Sequence, residues 1–139
     1  GSSMVTALQD GDRILVSHSP WIMNPLKRGD TVILNVEQEV LVKRLIGLPG
    51  DRIAMWKGLV ILNGDFLNEN IPADRNRPDS FPEVVLGGNE FFVMGDHRKV
   101  SVDSRDFGPV KRDEVIGSVL VRFLQEKMEP MPMTRAGTR

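Results

Sequence analysis

The chain has 139 residues, 40% of them hydrophobic and 27% charged, with a formal net charge of -1, two histidines and no cysteine. This suits one ordinary globular domain, excludes disulfides, thiolate catalysis and cysteine-based zinc or iron–sulfur centres, and argues against a histidine-rich metal site. The near-neutral charge offers no field for nucleic acid, and no apolar run approaches the ~20 residues of a membrane helix.

Residues 1–8 are polar apart from Met4 and Leu8. They open on Gly1-Ser2-Ser3 rather than on the charged and apolar regions of a signal peptide, and this opening also reads as an expression scar on a trimmed domain. Gln9-Asp10-Gly11-Asp12 predicts a turn, and Arg13–Val16 a strand. Ser17–Gly29 is a loop with Pro20, Pro25 and the apolar tip Trp21-Ile22-Met23. Arg28-Gly29-Asp30 turns into a strand at Thr31–Leu34. Another strand spans Glu37–Ile46, and Gly47–Asp51 turns it into Arg52–Trp56. Leu59–Leu62, Asn63-Gly64-Asp65 and Phe66-Leu67 predict a hairpin, because Asn-Gly favours the primed turns. Asn70–Pro82 is expected to be a long polar loop.

Gly87-Gly88-Asn89 leads into a strong strand at Glu90–Met94. Gly95–Pro109 reads as an irregular loop dense in charge and hydroxyls. Asp113–Gly117 leads into the last strand, Ser118–Phe123. Residues 125–139 alternate Met and Pro with charge and are expected to form a flexible tail. There is no long amphipathic helix and no internal repeat. The expected architecture is all-β, with folded antiparallel sheets in a barrel-like domain over residues 1–124.

The run Leu41-Val42-Lys43-Arg44-Leu45-Ile46 places a cation pair inside a β-type apolar stretch. Lysine is seldom fully buried, so the strand alone favours an outward Lys43. If Lys43 points inward, desolvation lowers its pKa and leaves a neutral amine able to act as a general base.

Three stretches carry a resemblance. They are Ser3-Met4-x-x-x-Leu8 with Asp10-Gly11-Asp12-Arg13; Val42-Lys43-Arg44-Leu45-Ile46-Gly47-Leu48-Pro49-Gly50-Asp51; and Phe92-Val93-Met94-Gly95-Asp96-His97-Arg98 with Ser101-x-Asp103-Ser104-Arg105-x-Phe107-Gly108. Together, with Arg28-Gly29-Asp30, they resemble the type I signal peptidases, the serine–lysine leader peptidases of bacterial secretion. The resemblance implies the barrel-like β fold that signal peptidases share with self-cleaving repressors. It implies Ser3 as nucleophile and Lys43 as its base, a variant of triad logic. Ser101 would orient the Lys43 amine, and the Ser3 backbone N–H would stabilise the oxyanion. Asp103 would pair with Arg105 to hold the Ser101 loop, and Asp96 with Arg44. His97 stands where the family more often has asparagine and reads as a loop residue.

By the same resemblance, Met4, Leu41 and Val42 would keep the lysine dry. Met4, Leu8, Leu41 and Val42 would line shallow pockets for small residues spaced as Ala-x-Ala, with the peptide adding along the Val40–Lys43 edge. Trp21, Ile22 and Met23 read either as a wedge dipping into a bilayer surface or as packing against a neighbouring strand. The implied partners are signal peptides of secretory preproteins, the membrane surface and the secretion translocon, with no nucleic acid, metal or cofactor. The implied location is the cell membrane, with this domain on the extracytoplasmic side and its anchor outside this sequence.

Two other readings stand beside this one. Val5-Thr6-Ala7 lacks the proline that the family usually carries after Ser-Met, which motivates a non-catalytic relative that binds preproteins or partner peptidases. A self-cleaving repressor-type protease would share the dyad, but the sequence shows no DNA-binding helix pair and no Ala-Gly cleavage site in a lead segment.

Overall fold

Strands with a period-two pattern bury one face, and the computed structural model shows which. It describes residues 6–9, 12–17, 25–69, 76–124 and 127–130, with side chains for 25–69 and 76–119. Ser3, Met4, Trp21, Ile22 and Met23 lie outside the described residues, and so does the side chain of Leu8. In chain order the elements are β1 (Thr6–Gln9), β2 (Asp12–Ser17), β3 (Thr31–Val36), β4 (Glu39–Gly47), β5 (Arg52–Trp56), β6 (Leu59–Leu62), β7 (Asp65–Phe66), β8 (Phe81–Val85), β9 (Glu90–Met94), the one-turn helix α1 (Ser104–Phe107), β10 (Val110–Lys111), β11 (Val115–Leu124) and β12 (Lys127–Pro130).

The expected all-β class holds. Among the described residues, a large sheet runs β1-β2-β11-β3-β4-β9-β10, with β12 paired to β11, and a small sheet runs β7-β6-β5-β8. Every pairing is antiparallel. β12 falls inside the segment expected to be a tail, and β1 spans the end of the polar opening stretch and the first residue of the expected turn, Gln9.

Two apolar clusters hold the sheets. The first gathers Val32, Leu34, Leu45, Phe91, Val93, Val110 and Val115 on one face of the large sheet. The second sits between the sheets, where Ile46, Phe92 and Met94 meet Ile53, Met55, Val60 and Leu86. β5 shows the underlying alternation, with Ile53 and Met55 buried and Arg52 and Trp56 exposed. The chain crosses from one sheet to the other at Gly47. A Cβ there would press on the Leu86 side chain and sit 3.1 Å from Phe92 Cβ. Asp51 then closes the turn, accepting the Leu48 N–H at 2.8 Å and the Arg28 guanidinium at 2.6 Å.

The turns follow less obvious rules than the strands. The predicted Asn63-Gly64 hairpin forms, with φ of 52° and 91°. β3 and β4 are joined by a tight turn of the same positive-φ kind at Glu37-Gln38, with φ of 50° and 73°.

Candidate active site

The site begins where two strands of unequal reach meet. β4 pairs with β3 from Glu39 to Arg44, but its pairing with β9 starts only at Arg44↔Met94. Glu39–Lys43 therefore has one edge that no described strand covers, and the chain after Met94 leaves the sheet beside Lys43. Lys43 lies opposite Val32, on the face that carries the first core cluster. It is half-buried, not fully inward.

Gly95 is the first residue off β9, and it leaves room for the contact that follows. A Cβ at this position would overlap the Ser101 hydroxyl, lie 2.6 Å from Ser101 Cβ and 3.5 Å from Lys43 Nζ. With only hydrogen there, Lys43 Nζ donates to Ser101 Oγ at 3.1 Å. The Ser101 hydroxyl in turn donates to Asp103 Oδ2 at 2.7 Å. A hydroxyl whose proton is committed to a carboxylate offers only lone pairs to the amine, so the amine presents an N–H to it. The lone pair of a neutral amine is then left for another proton.

Asp103 is 0% exposed, and its burial is offset by donors on both oxygens. Arg105 Nε and the Arg105 N–H reach Oδ1 at 2.8 and 3.1 Å. Arg105 Nη2 and the Gly95 N–H both reach Oδ2 at 2.9 Å. Burial alone would raise this carboxyl, but the hydrogen bonds and charge of Arg105, the Gly95 N–H and the Ser101 hydroxyl outweigh it and hold the group below the usual carboxylate range. Asp103 also caps α1. Its own N–H donates to Asp106 Oδ2 at 3.0 Å, completing a capping box.

Lys43 is held below its ordinary value. Burial is the largest influence, only partly opposed by the Asp103 charge, and Arg105 adds to the lowering. Because Asp103 is neutralised by Arg105 at 2.8 Å, its pull on the amine is blunted. The arrangement supplies a part-dried primary amine, aimed by a hydroxyl, at the open edge of a strand. Such a group can take a proton from a nearby nucleophile.

The neighbouring cation is treated in another way. Arg44 is 6% exposed. Its Nε and Nη2 reach Asp96 at 2.8 and 2.6 Å, and its Nη1 reaches the Gly29 carbonyl at 2.8 Å. Of the pocket residues named from the sequence, Leu41 is half-buried against the first core cluster, whereas Val42 is 43% exposed on the opposite face of β4. Leu41 and Val42 therefore flank the open edge from two sides instead of lining one wall.

Sequence reading missed the groups that grip the Ser101 loop from outside. Arg98, 1% exposed, donates Nε to the Gly95 carbonyl at 2.7 Å and forks Glu69 at 2.9 and 2.7 Å. Arg77 donates Nη1 to the Ser101 carbonyl at 2.8 Å. The Asp103-x-x-Asp106 spacing was the available signal for α1. Arg77 and Glu69 had none, since their partners are remote in sequence. Among the described residues no three His, Cys, Asp or Glu side chains are grouped to hold a metal ion, and no helix is long and apolar enough to cross a membrane.

Comparison with known proteins places the chain. Residues 1–124 match the family described as signal peptidase, peptidase S26. A signal peptidase I of Leptolyngbya laminosa is 34% identical over 131 residues, covering 87% of this chain and 64% of that protein. A signal peptidase I of Bacillus amyloliquefaciens is 35% identical over 128 residues, covering 85% of this chain and 69% of that protein. The crystal structure of a signal peptidase I from Enterococcus faecalis superimposes with a TM-score of 0.57 at 28% identity, over 67% of this chain and 95% of that one. The chain thus spans just under two thirds of the length of the Leptolyngbya relative.

Proposed function

We propose, because the chain belongs to the signal peptidase family, peptidase S26, that its parent protein is a membrane-associated serine endopeptidase that removes signal peptides on the extracytoplasmic side. The observation that carries this reading is the chain of contacts Lys43–Ser101–Asp103 at the open edge of β4, at 3.1 and 2.7 Å. A preprotein segment adds to that edge as an extended strand, with small side chains at alternate positions on the Leu41 side of β4 and the residue between them on the Val42 side; Met4 and the Leu8 side chain, outside the described residues, complete the pockets.

In this reading the Ser3 hydroxyl attacks the scissile carbonyl carbon while Lys43 Nζ takes its proton. The oxyanion is met by the Ser3 backbone N–H. The tetrahedral intermediate collapses, the Lys43 ammonium returns the proton to the leaving amine, and the signal peptide stays as an ester on Ser3. Water then attacks the ester carbon while Lys43 takes its proton; the bond to the Ser3 oxygen breaks, Lys43 returns the proton to that oxygen, and the signal peptide leaves with a free carboxylate. Ser101 keeps the amine in one orientation throughout. Asp103 and Arg105 hold Ser101; the network described above supports the roles of Lys43, Ser101, Asp103 and Arg105, and that of Ser3 rests on the family resemblance.

The test is cleavage of a peptide bearing Ala-x-Ala by the chain and by Lys43→Ala, with circular dichroism to monitor the fold. The expected result is loss of roughly 10³-fold in rate with the fold kept. Equal cleavage by the variant would reject the mechanism. Binding without turnover by both would favour the non-catalytic relative.

A further inference from the structure

The small sheet carries none of the groups that the proposed chemistry uses. Yet two side chains from the segment between β7 and β8 reach the loop that holds Ser101. Glu69 grips Arg98 near the start of that loop. Arg77 grips its middle. Besides the Ser101 carbonyl, Arg77 forks Asp79 through Nε and Nη2, both at 2.8 Å. Its Nη1 and Nη2 reach Asp106 at 3.1 and 3.0 Å. Asp106 accepts the Asp103 N–H. Arg77 thus touches the main chain of Ser101 directly and that of Asp103 through one carboxylate. These are the two residues whose side chains aim the Lys43 amine.

Arg77 is itself seated by the small sheet. The Gly58 N–H donates to the Asp79 carbonyl at 2.8 Å, and the Lys57 N–H donates to Ser80 Oγ at 2.8 Å. A Cβ on Gly58 would collide with the Arg77 carbonyl, and Gly58 has φ of +85°, so the β5–β6 turn accepts the Arg77 backbone only as glycine. Hydrogen bonds from Arg77 hold the Asp79 and Asp106 carboxyls below their usual range. A guanidinium shared between two carboxylates and a carbonyl fixes direction as well as charge, which a lysine cannot do.

We propose that Arg77 is a positioning residue for the Lys43–Ser101 contact, holding the Ser101 main chain so that its hydroxyl stands between the amine and Asp103. This rests on the peptidase reading for its consequence in turnover, and on geometry alone for its consequence in Lys43. Lys43 is faced by Asp103, Arg105 and Asp106 from the loop and α1, and by Glu39 from its own strand. If Arg77 is lost, the loop loosens, water reaches the amine, and Asp106 is freed from its guanidinium. Both changes favour the ammonium, so the Lys43 pKa rises.

The experiment compares wild type, Arg77→Ala, Arg77→Lys and the surface control Arg52→Ala on an Ala-x-Ala peptide, with Lys43 titrated by NMR of ¹³C-labelled lysine. In Arg77→Ala, kcat is expected to fall roughly 10²-fold with KM within about three-fold, and the acid limb of the rate profile to move to higher pH with the Lys43 titration. Arg77→Lys falls roughly ten-fold and shifts the same way. Arg52→Ala changes neither. A melting temperature lowered alone, with kcat and the Lys43 titration of Arg77→Ala as in wild type, would overturn the proposal. If Arg77→Ala does not fold, a wild-type titration in Arg77→Lys would overturn it. If wild type cleaves no peptide the peptidase reading fails, and the Lys43 titration still decides the role of Arg77.

Discussion

Lys43 and Arg44 stand next to each other on β4 and face opposite sides of it. On one side the cation receives a full complement. Asp96 meets Arg44 through two oxygens at 2.8 and 2.6 Å, and the Gly29 carbonyl accepts a further hydrogen bond. On the other side the cation's hydrogen-bond partner among the described residues is a neutral hydroxyl, and the nearby carboxylate is already committed to Arg105. The two faces treat a partly dried cation in two ways, and on the Lys43 side burial is only partly offset by the Asp103 charge. The difference lies in whether the fold gives the cation a carboxylate of its own. The paired cation ties strand to loop, and the other is the one that the proposed mechanism uses as its proton acceptor.

The sharpest way to break this comparison is to make the two residues alike. Lys43→Arg keeps the charge, but a guanidinium does not deprotonate in a protein. Peptide cleavage is expected to fall roughly 10³-fold with the circular dichroism spectrum kept, and near-wild-type cleavage would mean that the amine is not the base. Arg44→Met should act on the other face as a stability change. It leaves Asp96 without its fork, and denaturant unfolding should show a loss of about 3 kcal/mol, much of it recovered when Asp96→Leu is added.

The smallest effect concerns Lys43 again. Its folded-state pKa lies below the unfolded value near 10.5. Between the two, the unfolded chain holds the extra proton, so wild-type stability climbs as pH rises. Below the folded-state pKa the penalty is complete, and above 10.5 it is gone. Lys43→Met should therefore be slightly more stable than wild type at pH 7, by a margin reduced by the water that still reaches the half-buried amine. The margin should vanish by about pH 11 in denaturant midpoints. A constant margin across that range would mean that packing, not charge, sets it.

Much of the frame was legible. β3, β5 and β9 announce themselves by burial-compatible runs, and Asn63-Gly64 announces its hairpin. Lys43, Ser101, Asp103 and Arg105 were legible only as parts of long motifs, because a lysine in a strand taken alone points outward. The Glu37-Gln38 turn was not legible, since neither residue is the usual occupant of positive φ. β8 was obscured by Pro82 and Glu83, which an edge strand of the small sheet tolerates. Arg77 was hidden for another reason. Its partners Ser101 and Asp106 lie 24 and 29 residues away, and local pattern carries no information about contacts of that span. Ser3, the proposed nucleophile, Met4 and the Trp21–Met23 tip fall outside the described residues.

Gly95 has a practical meaning for anyone sorting relatives of this chain. Its α-hydrogens occupy the space where one methyl group would displace the Ser101 hydroxyl. A sequence that retains the lysine and the serine but carries alanine at this position would therefore look intact in an alignment while lacking the room for their contact, and under the proposed mechanism it should be silent at the bench.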